Sequence, residues 1–165
     1  MREISINEVP NSLLREFDCG ELKLNTYLKN YARQNFEKGV GKTFLLVDDK
    51  HVLGFYTLCS AQIKFEELPL KICQKLPKYP IPAIRIARFA VNKIDQSKGI
   101  GSLLLTNAFR RIVSAFTNIG ITFIVVDAKK ESKGFYEHFG FKCVNEENLT
   151  YILSIFTVIK AVSDI

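Results

Sequence analysis

The sequence predicts a single α/β domain over residues 1–165, with a mixed central β-sheet flanked by helices on both faces. Three observations carry that reading. Strand-like and helix-like segments alternate along the whole chain, the pattern of a sheet with helices packed against it. Residues 121–126 are continuously apolar, rich in β-branched and aromatic side chains, as a strand covered on both faces requires. A chain of 165 residues is also long enough for one core, because it buries roughly 70% of its unfolded surface.

The expected order is β-α-β-β-α-β-α-β-α-β-β. Residues 2–6 alternate as a first strand. Between residues 20 and 38 the apolar positions Leu24, Tyr27, Leu28, Tyr31 and Ala32 recur at steps of three and four, and Gly39 follows as a stop. Residues 43–47 and 52–61 are β-rich runs split by Asp48-Asp49-Lys50-His51, which reads as a hairpin. A short helix is expected over 65–74. Pro77, Pro80 and Pro82 then shape a loop. A strand over 84–91 leads into a glycine-containing turn and a helix over 103–116, whose Leu104, Ala108, Ile112 and Ala115 share a face. After the strand at 121–126, residues 132–139 form a short helix closed by Gly140, and 141–145 and 151–159 are expected as strands.

Composition excludes several classes. Hydrophobic residues at 47% and charged residues at 24% are near the globular norm, which removes a disordered or collagen-like chain. Cys19, Cys59, Cys73 and Cys143 are far apart, never in C-x-x-C, and neither His51 nor His138 joins a ligand-like pattern, so no metal site is expected. The start Met1-Arg2-Glu3-Ile4 lacks the apolar stretch of a signal peptide, and no segment approaches the ~20 apolar residues that span a bilayer. The expectation is a cytoplasmic protein with no membrane partner.

Charge is unevenly spread. Residues 78–111 hold seven Lys and Arg against Asp95 alone, a local excess equal to the net +6 of the whole chain. Such a patch attracts polyanions. Within it lies Gln96-Ser97-Lys98-Gly99-Ile100-Gly101-Ser102, after a strand and opening a helix. Backbone N–H groups in such a turn form an anion nest, and the helix start adds its own unpaired donors and positive dipole end. A pyrophosphate fits that chemistry. Neither G-x-G-x-x-G after the first strand nor the full G-x-x-x-x-G-K-[ST] occurs, since Gly41-Lys42-Thr43 has Phe36 where the loop's first glycine would stand, so dinucleotide binding and nucleotide hydrolysis are excluded.

A second cluster is Gly134-Phe135-Tyr136-Glu137-His138-Phe139-Gly140-Phe141. Its phenylalanines belong to a core, but the Tyr136 hydroxyl needs a partner or a cleft. A phenol titrating near ~10 keeps its proton at neutral pH and suits protonation of a leaving thiolate.

The strand ending Arg88-Phe89-Ala90-Val91, the Q-x-x-G-x-G of residues 96–101 and the F-Y-x-x-x-G-F of 135–141 resemble, in that succession, the GNAT superfamily of acetyl-CoA-dependent N-acetyltransferases. The resemblance implies that the glycine loop holds the pyrophosphate of coenzyme A. It further implies that the backbone of Phe89, Ala90 and Val91 holds the pantetheine arm, that Ser132 and Phe135 complete the cofactor contacts, and that Tyr136 is the general acid. Where many superfamily members carry a carboxylate, this chain has Asn92 and Lys93, so direct attack by a neutral amine is expected, with backbone amides near Val91 polarising the thioester.

A narrower resemblance rests on Phe17-Asp18-Cys19-Gly20, Gly54-Phe55-Tyr56-Thr57-Leu58, Tyr79-Pro80-Ile81-Pro82, Ile86-Ala87-Arg88-Phe89-Ala90-Val91, Val126-Asp127-Ala128 and the tail over 151–160. Together these are similar to the aminoacyl-tRNA-acetylating toxins of toxin–antitoxin modules. That likeness implies an aminoacyl-tRNA substrate, a ribbon-helix-helix antitoxin and a homodimer; the basic window puts Arg85 and Arg88 toward the tRNA acceptor end, and the apolar strand expected over 151–159 is a candidate dimer edge. Two rivals stand beside it: an N-acetyltransferase acting on a small amine or a protein N-terminus, and a non-catalytic acyl-CoA- or nucleic-acid-binding module.

Overall fold

The computed structural model describes residues 1–164; Ile165, the last residue of the expected domain, lies outside the described residues. The chain runs β1 (Arg2–Ser5), α1 (Asn11–Arg15), α2 (Leu22–Thr26), a π-helical turn (Tyr27–Tyr31), α3 (Ala32–Glu37), β2 (Lys42–Val47) and β3 (Val52–Ile63). It continues with α4 (Leu70–Cys73), β4 (Ile81–Val91), α5 (Ile100–Phe116), β5 (Phe123–Asp127), α6 (Lys133–His138), β6 (Lys142–Asn145), β7 (Thr150–Ser154) and α7 (Ile155–Ser163). The strands pair in the order β1-β2-β3-β4-β5-β7-β6. With β4 and β5 parallel and the pairs β1/β2, β2/β3, β5/β7 and β6/β7 antiparallel, the sheet is mixed, as predicted.

Contacts divide the chain into two compact units. The first comprises Met1–Cys59 and Ala87–Ala108. Its core joins Ile6, Leu14, Phe17, Leu28, Leu45 and Phe55, with Phe17 and Tyr27 both against the Phe55 ring. The second comprises Ser60–Ile86 and the chain from Phe109 onward. There Phe123 and Val125 pack with Ile63, Ile81, Ala83 and Ile152, while Ile124 and Val126, pointing the other way from β5, are equally buried. Both faces of β5 are therefore covered, which is why its sequence shows no alternation.

Three expectations fail locally. The apolar run 151–159 is not one strand: β7 ends at Ser154 and α7 begins at Ile155. Ile155 and Val158 are buried at helical spacing while Phe156, Thr157 and Lys160 are exposed, a pattern that a short apolar run conceals. Nor is β7 an edge, because it lies between β5 and β6. The helix expected over 65–74 breaks at Leu68 and Pro69, leaving a 3-10 turn (Phe65–Glu67) and α4. Proline restricts the residue before it to extended backbone, and Leu68 has ψ 141°.

Candidate functional site

In the first unit, the segment from β4 to α5 is built by hydrogen bonds to neighbouring backbone. The parallel register of β4 with β5 runs from Ala83 to Ile86, and Phe89, Ala90 and Val91 lie past its end. Asn92 is buried; its N–H donates to the Leu53 carbonyl at 2.8 Å and its amide Nδ2 to the Val52 carbonyl at 3.0 Å. Its own side-chain oxygen caps the 3-10 turn Lys93–Asp95. Gln96 then folds back, with Nε2 donating to the Val91 and Cys19 carbonyls at 3.1 Å each.

Ser97 (φ 63°) and Gly99 (φ 81°) follow with left-handed backbone, and the Gly99 carbonyl accepts the first helical bond of α5, from Leu103. Left-handed residues in such a turn aim consecutive N–H groups toward one point, the geometry of an anion nest. A Cβ at Gly99 would meet nothing within 4 Å, so backbone conformation, not space, demands glycine there. Lys98, Ser102 and Gly101 keep at least part of their surface exposed, whereas Ile100 is buried as the first core residue of the helix.

The basic window is less free than its sequence implies. Lys93 donates to Asp18 at 2.5 Å, and Asp18 also accepts from Gly20 N–H and Asn25. The Lys93 hydrogen bond, then those from Gly20 and Asn25, hold the Asp18 carboxyl well below the usual carboxylate range. Lys98 lies 3.6 Å from Asp95, and Arg85 pairs with Asp127, which also accepts from Thr150. Arg88 is exposed, with its guanidinium 4.7 Å from the centre of the Tyr27 ring. Asp18 and Asp127 lie outside the 78–111 window, so counting charges within it missed both.

In the second unit, α6 presents Tyr136 as its one buried side chain, 7% exposed. The ring sits edge-on to Phe135 at 5.2 Å and to Phe141 at 5.5 Å. Burial pushes its phenol up to about 12, so the group is a proton donor at any physiological pH. Ser132 is the residue before α6 and Gly140 (φ 90°) follows its end, the expected glycine stop. The carboxylate of Glu137 accepts from Tyr151 at 2.8 Å, and Glu66, Glu67 and His138 are exposed. Among the described residues no helix is long and apolar enough to cross a membrane, and no three His, Cys, Asp or Glu side chains group as metal ligands.

Comparison with known proteins places these features in context. The acetyltransferase (GNAT) domain family matches residues 18–153. A tRNA-acetylating toxin of Mycobacterium tuberculosis is 36% identical over 127 residues, covering 76% of each chain. Among solved structures, AtaT complexed with acetyl-methionyl-tRNAfMet superposes with a TM-score of 0.87 at 25% identity, covering 97% of this chain and 98% of that one. AtaTR bound with AcCoA gives 0.80 at 26% identity, over 97% and 96%.

Proposed function

This chain belongs to the GNAT acetyltransferase family, and on that premise we propose that it acetylates the α-amino group of an aminoacyl-tRNA, blocking translation as the toxin of a toxin–antitoxin pair. Acetyl-CoA is the cosubstrate. The observation that carries the reading is the 36% identity to a tRNA-acetylating toxin over three quarters of both chains. The nest around Gly99 supports placing the pyrophosphate of coenzyme A at residues 96–102, with the pantetheine arm along Phe89, Ala90 and Val91. Ser132 and Phe135 are assigned to the cofactor as well, and Arg85 and Arg88 to tRNA. Of these two, Arg88 is the more exposed residue, while Arg85 is paired with Asp127. A ribbon-helix-helix antitoxin, homodimerisation and a cytoplasmic location complete the proposal.

The chemistry asks little of a base. An α-amino group titrates near ~7.7–8.0, so a sizeable neutral fraction exists at pH 7, whereas a lysine near ~10.4 would need deprotonation. Tyr136 acts as general acid on the departing thiolate. Raising the pH frees the amine, and a phenol held up at about 12 retains its proton meanwhile. The pH–rate profile is therefore expected to rise through the amine's titration and stay level to about pH 10. A descending limb near neutrality in kcat would contradict this assignment.

The substrate class is tested with radiolabelled acetyl-CoA and bulk charged tRNA. Label should enter the tRNA fraction and be released by mild deacylation. Label absent from tRNA despite acetyl-CoA binding would move the search to small amines and protein N-termini. Salt gives a second readout, because a polyanionic substrate releases counterions on binding. We expect kcat/KM for charged tRNA to fall linearly with salt on logarithmic axes, and Arg88→Ala to lower that slope by about 1. A flat dependence would exclude tRNA as the recruited partner.

A further inference from the structure

We infer that His51 is a positioning residue for the glycine loop, acting through Asp95. This rests on the assignment of that loop to acetyl-CoA. His51 sits at the β2–β3 hairpin, and its two ring nitrogens face carboxylates: Nε2 is 2.6 Å from Asp95 and Nδ1 is 3.4 Å from Asp48. Asp48 is itself fixed by the backbone N–H groups of Lys50 and His51, at 2.8 Å each. Asp95 is buried, directly precedes Gln96, and has Lys98 3.6 Å from its other oxygen.

The hairpin and the loop are thus joined side by side. His51 holds Asp95, while Val52 and Leu53 hold Asn92 through two further hydrogen bonds. The backbone bonds fix where the turn lies. His51 has a different effect, which is to give the buried Asp95 side chain a hydrogen-bonding partner. A buried carboxylate needs compensation. With His51 gone, Asp95 keeps Lys98, the loop's own charge, 3.6 Å from its other oxygen, and a Lys98 drawn onto Asp95 offers less to a phosphate. The role is therefore electrostatic as well as steric, and it leaves the acetyl-transfer chemistry alone.

The test is acetyl-CoA affinity by calorimetry, with steady-state kinetics alongside. His51→Ala should raise both Kd and KM for acetyl-CoA about tenfold and leave kcat at saturation within about twofold. His51→Phe keeps the ring's bulk without its nitrogens and should show the same loss, so a cavity cannot explain it. In an Asp95→Asn background the carboxylate to be compensated is gone, and His51→Ala should then cost less than about twofold. Equal Kd values for wild type and both His51 variants would overturn the inference. So would a fall in kcat and Tm with KM unchanged, which marks a structural role. Wild-type protein that binds no acetyl-CoA would instead overturn the assignment of the loop, and this inference with it.

Discussion

Tyr136→Phe is expected to slow acetyl transfer about 10²- to 10⁴-fold while leaving acetyl-CoA affinity and thermal stability close to wild type. The substitution removes the hydroxyl and keeps the ring. Phenylalanine keeps the edge-on contacts with Phe135 and Phe141 that bury the ring, so α6 keeps its packing. The hydroxyl is set by burial to remain protonated, with its phenol pushed up to about 12. A thiol titrating near ~8.5 leaves as a thiolate far more readily when a proton is delivered as the bond breaks. The loss should therefore appear in kcat and not in KM. In cells the same variant should no longer arrest growth. An unchanged kcat would show that water or the substrate supplies the proton, and Tyr136 would lose its role.

Much of this site is readable from sequence because its parts are local. The Gln96-to-Ser102 turn, the strand before it and the helix after it are contiguous, and the glycine at 99 marks a left-handed residue that the chain does adopt. Tyr136 stands out by contrast with its phenylalanine neighbours. What escaped is non-local. His51 and Asp95 are 44 residues apart, and Lys93 and Asp18 are 75 apart, so no spacing rule links them. The apparent +6 of the basic window shrinks for the same reason, because two of its compensating carboxylates come from distant chain. The final helix escaped for a different cause. A run of Ile, Leu, Phe and Val satisfies strand and helix periods equally, and only tertiary burial of Ile155 and Val158 decides between them.

The second large effect is expected at Gly54, where packing and cofactor binding meet. In β3, Gly54 pairs with Leu46 of β2. A Cβ there would lie 2.4 Å from Leu104 Cδ1, 2.7 Å from the Ala90 carbonyl oxygen and 3.3 Å from Val91 Cα. Leu104 is fully buried, so its side chain has little room to turn away, and the Ala90 oxygen is backbone and cannot turn at all. Something in β4 or α5 must move. Overpacking of this kind costs about 1–3 kcal/mol, and at this chain length each kcal/mol lowers Tm by about 2–4 °C. The displaced atoms belong to Ala90 and Val91, the backbone assigned to the pantetheine arm, so Gly54→Ala should weaken acetyl-CoA binding as well as lower Tm. Gly120→Ala is the control, since a Cβ there meets nothing within 4 Å and its Tm should match wild type. If Gly54→Ala unfolds earlier yet binds acetyl-CoA normally, the strain is absorbed by Leu104 and α5. If neither property changes, the close approach of β3 to the end of β4 has no energetic consequence, and the placement of the cofactor arm along that strand loses its structural support.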